Sequence, residues 1–235
     1  MESLYAELAR RATANARREI EAYAREIPEL GFLDANQRSR AETMEYSVWF
    51  RRRTLELSPN NSALTPDDLG YISSMGASRA EAGMSLESRQ RILRLHTALM
   101  LREVNEAVEA QRGGGVDELI GMMGWFAPQG ERGTAAYCRG FMGGLRRRLP
   151  YVEQVALLTR CLLTEDAMAA QLAPAVGMEV PEYCAVTVVR VPCPPRGDRA
   201  LDREIEALVK THRVPVAWHA GDRGGELLAL VPSTG

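Results

Sequence analysis

The stretch Cys184-Ala185-Val186-Thr187-Val188-Val189-Arg190-Val191 divides the chain. Five of its eight residues are β-branched, and such side chains fit a pleated strand better than a helix, so it reads as a buried strand. Downstream, Pro192 to Gly197 reads as a loop, and Leu201, Ile205, Leu208 and Val209 recur at helical spacing. Val214 to His219 reads as a second strand. Gly221-Asp222-Arg223-Gly224-Gly225 carries hairpin-turn chemistry, and Glu226 to Val231 reads as a third strand. The order is β-α-β-β. Three strands and one helix leave a sheet face and an edge open, so this unit is expected to take cover from the helical part or from a partner, or to be a shortened version of something longer.

Upstream, the period is helical throughout. Leu4, Leu8, Ala12, Ala16, Ile20 and Tyr23 form one stripe, closed by Pro28 and Gly31. Asp34 is placed to cap a second helix carrying Ala41, Met44, Val48 and Leu55, and Ser58-Pro59-Asn60-Asn61 stops it. Thr65-Pro66-Asp67-Asp68 is a strong helix start: a capping hydroxyl, proline at the first helical position, then acids favoured by the helix dipole. That third helix is expected to end at Gly83. Ser85 opens a long fourth helix with Ile92, Leu95, Leu99, Val104 and Val108 on one side, ended by Gly113-Gly114-Gly115. Val116 to Ala127 reads as a short helix, Pro128-Gln129-Gly130 as a break, and Thr134 to Leu163 as a long helical stretch divided near Pro150. A last small helix spans Glu165 to Val176. The expected fold class is therefore mainly α, a helical bundle followed by a partial α/β unit. Its divisions are a bundle over residues 1–128, connector helices over 129–178 and the α/β unit over 179–235.

Composition excludes several classes of function. The net charge is -2 and the pI about 6.0, which argues against the broad basic field of non-specific nucleic-acid binding. Lys210 is the only lysine. The arginine bias reads as high-G+C bacterial coding, and the runs Arg51-Arg52-Arg53 and Arg146-Arg147-Arg148 read as solvated helix faces. Cys138, Cys161, Cys184 and Cys193 lack CxxC spacing, so neither a zinc site nor a disulfide framework is indicated. With no leader pattern and no apolar run of membrane-spanning length, the expected compartment is the cytoplasm.

Three stretches together resemble transcriptional regulators of the PucR/CdaR type. Arg25-Glu26-Ile27-Pro28-Glu29-Leu30 resembles the junction after the first helix of that family's N-terminal domain, itself related to the N-terminal domains of RsbT co-antagonists. Arg79-Ala80-Glu81-Ala82-Gly83-Met84-Ser85-Leu86-Glu87 is similar to the stretch before its long fourth helix. Val180-Pro181-Glu182-Tyr183, continuing into the Cys184 to Val191 strand, is similar to the opening of its degenerate GGDEF-like domain. The resemblance implies a non-catalytic sensor or dimerisation portion of such a regulator, with a ferredoxin-like α/β domain and without the family's C-terminal helix-turn-helix. It implies a homodimer, or a mixed dimer with related regulators, and a small-molecule effector. Direct contact with nucleic acid or membrane is not expected.

Candidate chemistry is sparse. Arg223-Gly224-Gly225-Glu226-Leu227 stands where a nucleotide cyclase carries its hairpin. Glu226 is its only acid, and two metal ions need more carboxylates than that, so it reads as a turn. His96 has no His or carboxylate at i+3 or i+4 to complete a metal site, and no metal or cofactor is expected. Thr164 to Ala173 superficially resembles the first helix of a helix-turn-helix, but a β-rich run follows, so it reads as a connector. Gly143-Gly144 would permit close helix approach across a dimer. No nucleophile–base pair stands out, so no enzyme is expected. The candidate ligand-binding residues are Tyr46, Trp49, Phe50, His96 and Met100. The candidate interaction residues are Trp125, Phe126 and Phe141, in Met- and aromatic-rich runs whose thioethers adapt to a partner.

Overall fold

The computed structural model describes residues 3–34, 36–110, 115–166, 168–192, 198–221 and 224–233. Gly113-Gly114, the stretch from Cys193 to Gly197, and Asp222-Arg223 lie outside them. Among the described residues are eight α-helices and one three-stranded antiparallel sheet, in two compact units, Met1–Phe141 and Met142–Gly235.

In the first unit, α1 (Leu4–Glu26) is capped by Ser3, whose hydroxyl accepts from Ala6 N–H. Its buried stripe is the one the periodicity predicts, from Leu4 to Tyr23, with Glu7, Asn15 and Glu19 buried beside it. Each such leucine or isoleucine contributes about 1.5–3 kcal/mol. A 3-10 stretch, Pro28–Asp34, leads to α2 (Gln37–Leu57). The cap of α2 is Asn36 rather than Asp34, because the 3-10 turns keep Asp34 two residues short of the helix; Asn36 Oδ1 accepts from Ser39 N–H at 3.1 Å. The buried face of α2 also differs from the expected one. Thr43, Ser47, Arg51 and Thr54 point inward, while Ala41 is exposed and Met44, Val48 and Leu55 are half-buried.

Helix α3 (Pro66–Glu81) begins at the expected capping threonine, and Asp68 completes a capping box: Thr65 Oγ1 accepts from Asp68 N–H at 3.2 Å, and Asp68 Oδ2 accepts from Thr65 N–H at 2.8 Å. Gly83, in the left-handed region at φ 96°, turns the chain into α4 (Leu86–Ala110). Two stretches quoted above for their resemblance meet here. Glu29 accepts from Ser85 N–H at 2.9 Å and from the Ser88 hydroxyl at 2.6 Å, capping α4 from a distance. Burial would raise the Glu29 carboxyl, but the bonds from Ser88 and Ser85 outweigh it and hold the group down at about 2.

Helix α5 (Val116–Arg148) runs straight through the expected break at Pro128. Proline inside a helix costs about 3 kcal/mol, and anchors on both sides offset it. Trp125 Nε1 donates to Ser62 O at 2.6 Å, and Gln129 Oε1 accepts from Leu64 N–H at 3.0 Å. Further along, α5 crosses α3 backbone to backbone. A Cβ on Gly140 would stand 1.8 Å from Ser73 O, and one on Gly76 would stand 2.2 Å from Tyr137 O. By contrast, a Cβ on Gly143 would meet only the Arg147 side chain, at 3.5 Å.

In the second unit, Pro150 separates α5 from α6 (Tyr151–Leu163), and α7 (Ala169–Ala175) follows. Strands β1 (Cys184–Val191), β2 (Val216–Gly221) and β3 (Gly224–Pro232) form a sheet in the order β1-β3-β2, with α8 (Asp198–His212) between β1 and β2. Val186 pairs with Leu230 and Val188 with Leu228; on the other side of β3, Trp218 pairs with Leu227. Val155, Leu158, Leu172, Val209 and Val216 are buried. Strand β1 is not buried as its composition predicts: Val186 is 56% exposed and Val188 52%. Among the described residues it is an edge strand paired with β3 alone, and α6 packs on β2 at the opposite edge. The paired glycines of the hairpin have a packing role, since a Cβ on Gly225 would stand 2.1 Å from the Trp218 ring.

Candidate functional site

The first unit holds an apolar cleft of about 400 Å³, with walls from all five of its helices. Helix α2 supplies Tyr46 and Phe50, α4 supplies His96 and Met100, and α5 supplies Trp125 and Phe126. The two groups of residues singled out in the sequence thus share one cavity, because α2, α4 and α5 converge there. The Phe50 and His96 rings meet edge to face at 4.9 Å. Trp49 turns away, its ring 4.6 Å from Tyr71, and borders a separate surface depression with Met44 and Val48. Phe141 is fully buried, stacked on Tyr137 and lying under the Arg89 guanidinium.

Beneath the cleft is a charged cluster that apolar periodicity does not reveal. Glu19 is 1% exposed, and its carboxylate receives four donors: Tyr23 Oη at 2.5 Å, His96 Nδ1 at 2.6 Å, Arg51 Nη1 at 2.6 Å and the Ser47 hydroxyl. Burial would raise the Glu19 carboxyl. The His96 imidazole, Arg51 and Ser47 outweigh it and hold the group far below the usual carboxylate range. An ionised carboxylate only accepts, so Nδ1 of His96 carries the hydrogen. Arg51 then forks onto Glu103, with Nε to Oε2 at 2.9 Å and Nη2 to Oε1 at 2.5 Å. The sequence signals for this cluster are an acid set beside the apolar stripe of α1 and a polar stripe on α2.

At the α5 wall, Tyr137 is 5% exposed, and its hydroxyl has no hydrogen-bond partner among the described residues. Burial pushes its phenol up to about 12, so it stays a donor at neutral pH. Among the described residues no three His, Cys, Asp or Glu side chains converge as a metal ion requires, and no helix is long and apolar enough to cross a membrane.

Comparison with known proteins gives one match. Residues 6–149 correspond to the family described as the RsbT co-antagonist protein rsbRD N-terminal domain. The match starts within α1 and ends one residue past α5, so it contains the whole cleft. No curated protein and no solved structure matches the chain.

Proposed function

The chain belongs to the RsbT co-antagonist rsbRD N-terminal domain family, and on that premise we propose that it is a regulatory protein whose helical unit binds a small effector in the cleft. The observation that carries the reading is a cavity of about 400 Å³, within the usual range for small-molecule sites, lined by aromatic and methionine side chains above a fixed polar floor. The chain works by binding rather than by catalysis. The groups best suited to proton transfer, Glu19 and His96, are bonded to each other, and Glu19 holds three further donors. Its finer role is that of the sensor and dimerisation portion of a PucR-type regulator with a GGDEF-like second unit, acting without direct contact to nucleic acid or membrane. The signal leaves along α5, which carries Trp125, Phe126 and Tyr137 on the cleft wall and continues to Arg148.

The test is titration of the full chain with the uncharged apolar dye N-phenyl-1-naphthylamine, read by its fluorescence. Saturable binding is expected, and Thr134→Trp at the exposed mouth should block it. No saturable binding, or equal binding by the variant, overturns the reading.

A second reading, favoured by the exposed Val186, Val188 and Val189 on β1, is a protein-interaction factor that pairs with its own kind or with related regulators. Sedimentation across a concentration series tests it, and a monomer at every concentration that recovers no regulator from the host sinks it.

A further inference from the structure

The charges buried around the cleft do not balance. Glu19 and Glu103 share Arg51, whereas Arg79 and Arg89, also buried, have no carboxylate partner among the described residues. Arg79 Nη2 donates to Thr43 Oγ1 at 2.8 Å. Arg89 Nη1 reaches only the Cys138 thiol at 2.9 Å, and its Nε is unpartnered. The other buried acids are matched locally, Glu7 by Arg10 and Arg11 and Asp68 by Arg53. Two carboxylates therefore face three guanidiniums in this part of the core. An uncompensated buried charge is costly. Both unmatched arginines act electrostatically on Tyr137, a residue of the cleft wall whose buried hydroxyl has no hydrogen-bond partner among the described residues. One negative charge placed at Tyr137 would balance the set.

We propose that the cleft takes a small aromatic monocarboxylate, its carboxylate accepting from the Tyr137 hydroxyl in the field of Arg79 and Arg89, and its ring lying among Phe50, Met100, Trp125 and Phe126. The inference rests on the effector-site reading above. The aromatic walls select a flat apolar body, and Met100 and Met123 adapt to its outline. A cationic ligand finds no free counter-charge among the buried acids, because Glu19 is consumed by its four donors and Glu103 by Arg51; the remaining acid of the lining, Glu131, is exposed to water. A second carboxylate would turn the guanidinium excess into a carboxylate excess.

The experiment is calorimetric titration of the full chain with 2-naphthoate, 2-naphthol and 2-naphthylmethylamine, alongside displacement of the bound dye. 2-Naphthoate is expected to bind at least about tenfold more tightly than 2-naphthol, and the amine not to bind. Tyr137→Phe removes a hydroxyl that has no partner, so the ligand-free protein should keep its stability while 2-naphthoate weakens about three- to tenfold. The near-isosteric Arg89→Met should weaken 2-naphthoate and leave 2-naphthol unchanged. Equal or tighter binding of 2-naphthol, or unchanged naphthoate affinity in Tyr137→Phe, overturns the inference while dye binding preserves the effector site. Failure of the dye as well overturns both.

Discussion

The helical unit and the α/β unit use polar and apolar residues in opposite ways. Among the described residues, every buried charged side chain lies in the helical unit, where Glu19, Arg51, Glu103, Arg79 and Arg89 occupy positions a bundle core normally gives to leucine. In the α/β unit the buried polar side chain is Thr159, its hydroxyl bonded back to Val155 O, while the valines of β1 stand in solvent. Burying charge costs more than burying hydrocarbon, and a fold gains little stability from it. The contrast sets a helical core that holds fixed charges against a sheet that leaves apolar side chains exposed.

Arg51→Met is the largest expected break. It leaves Glu19 and Glu103 buried without their cation and should cost about 3–5 kcal/mol in denaturant unfolding. A loss under about 1 kcal/mol would mean the cluster is not buried as described. Next in size is Gly140→Ala, which drives a methyl into Ser73 O and should cost about 1–3 kcal/mol, seen as a lower melting temperature; an unchanged temperature would refute the backbone contact. Acid tests the same unit. Glu19 and Glu29 have folded-state pKa values below the ordinary one, so the unfolded chain binds more protons as pH falls. Their contribution is full above about pH 4.5 and is lost as pH drops through the folded values. The Glu19 contribution should decline by up to about 1.4 kcal/mol per pH unit, and a Glu19→Gln variant should flatten that slope. The smallest effect belongs to the sheet. Arg190→Ala removes a solvent-exposed pair with Glu226 and should change stability by no more than about 0.5 kcal/mol. A larger loss would place β1 under cover and erase the contrast.

How much was legible depended on which physical signal each element carries. The stripe of α1, the capping threonine of α3 and the strand at Cys184 to Val191 rest on local rules and appear where the residues place them. The inward face of α2 was not legible, because an apolar count passes over Thr43, Ser47, Arg51 and Thr54 although they recur at helical spacing. Helix α5 crosses Pro128 because contacts at Trp125 and Gln129, distant in sequence, outweigh a local rule. The exposure of β1 was equally hidden, since β-branched composition reports strand geometry and not what lies on the strand's faces. Tyr46, Phe50, His96 and Met100 could be singled out as chemistry without showing that Trp125 and Phe126 share their cavity. Tyr137 opens the aromatic-rich run that holds Phe141, but the lack of a hydrogen-bond partner for its hydroxyl is visible only in three dimensions.

The crossing of α3 and α5 also sets which substitutions the helical unit can accept. Gly121, Gly124 and Gly130 share α5 with Gly140, yet a methyl at any of the three enters open space. Alanine at those three positions should firm the helix by about 0.5–1 kcal/mol apiece. At Gly76 and Gly140 the facing atoms are main chain, which no compensating side-chain change can remove. A saturation library scored by folded yield should therefore show two positions closed to every other amino acid amid permissive neighbours. Because Gly76 abuts the main chain of Tyr137 itself, sequence drift can exchange the side chains of the cleft wall far more readily than it can shift the backbone that carries Tyr137.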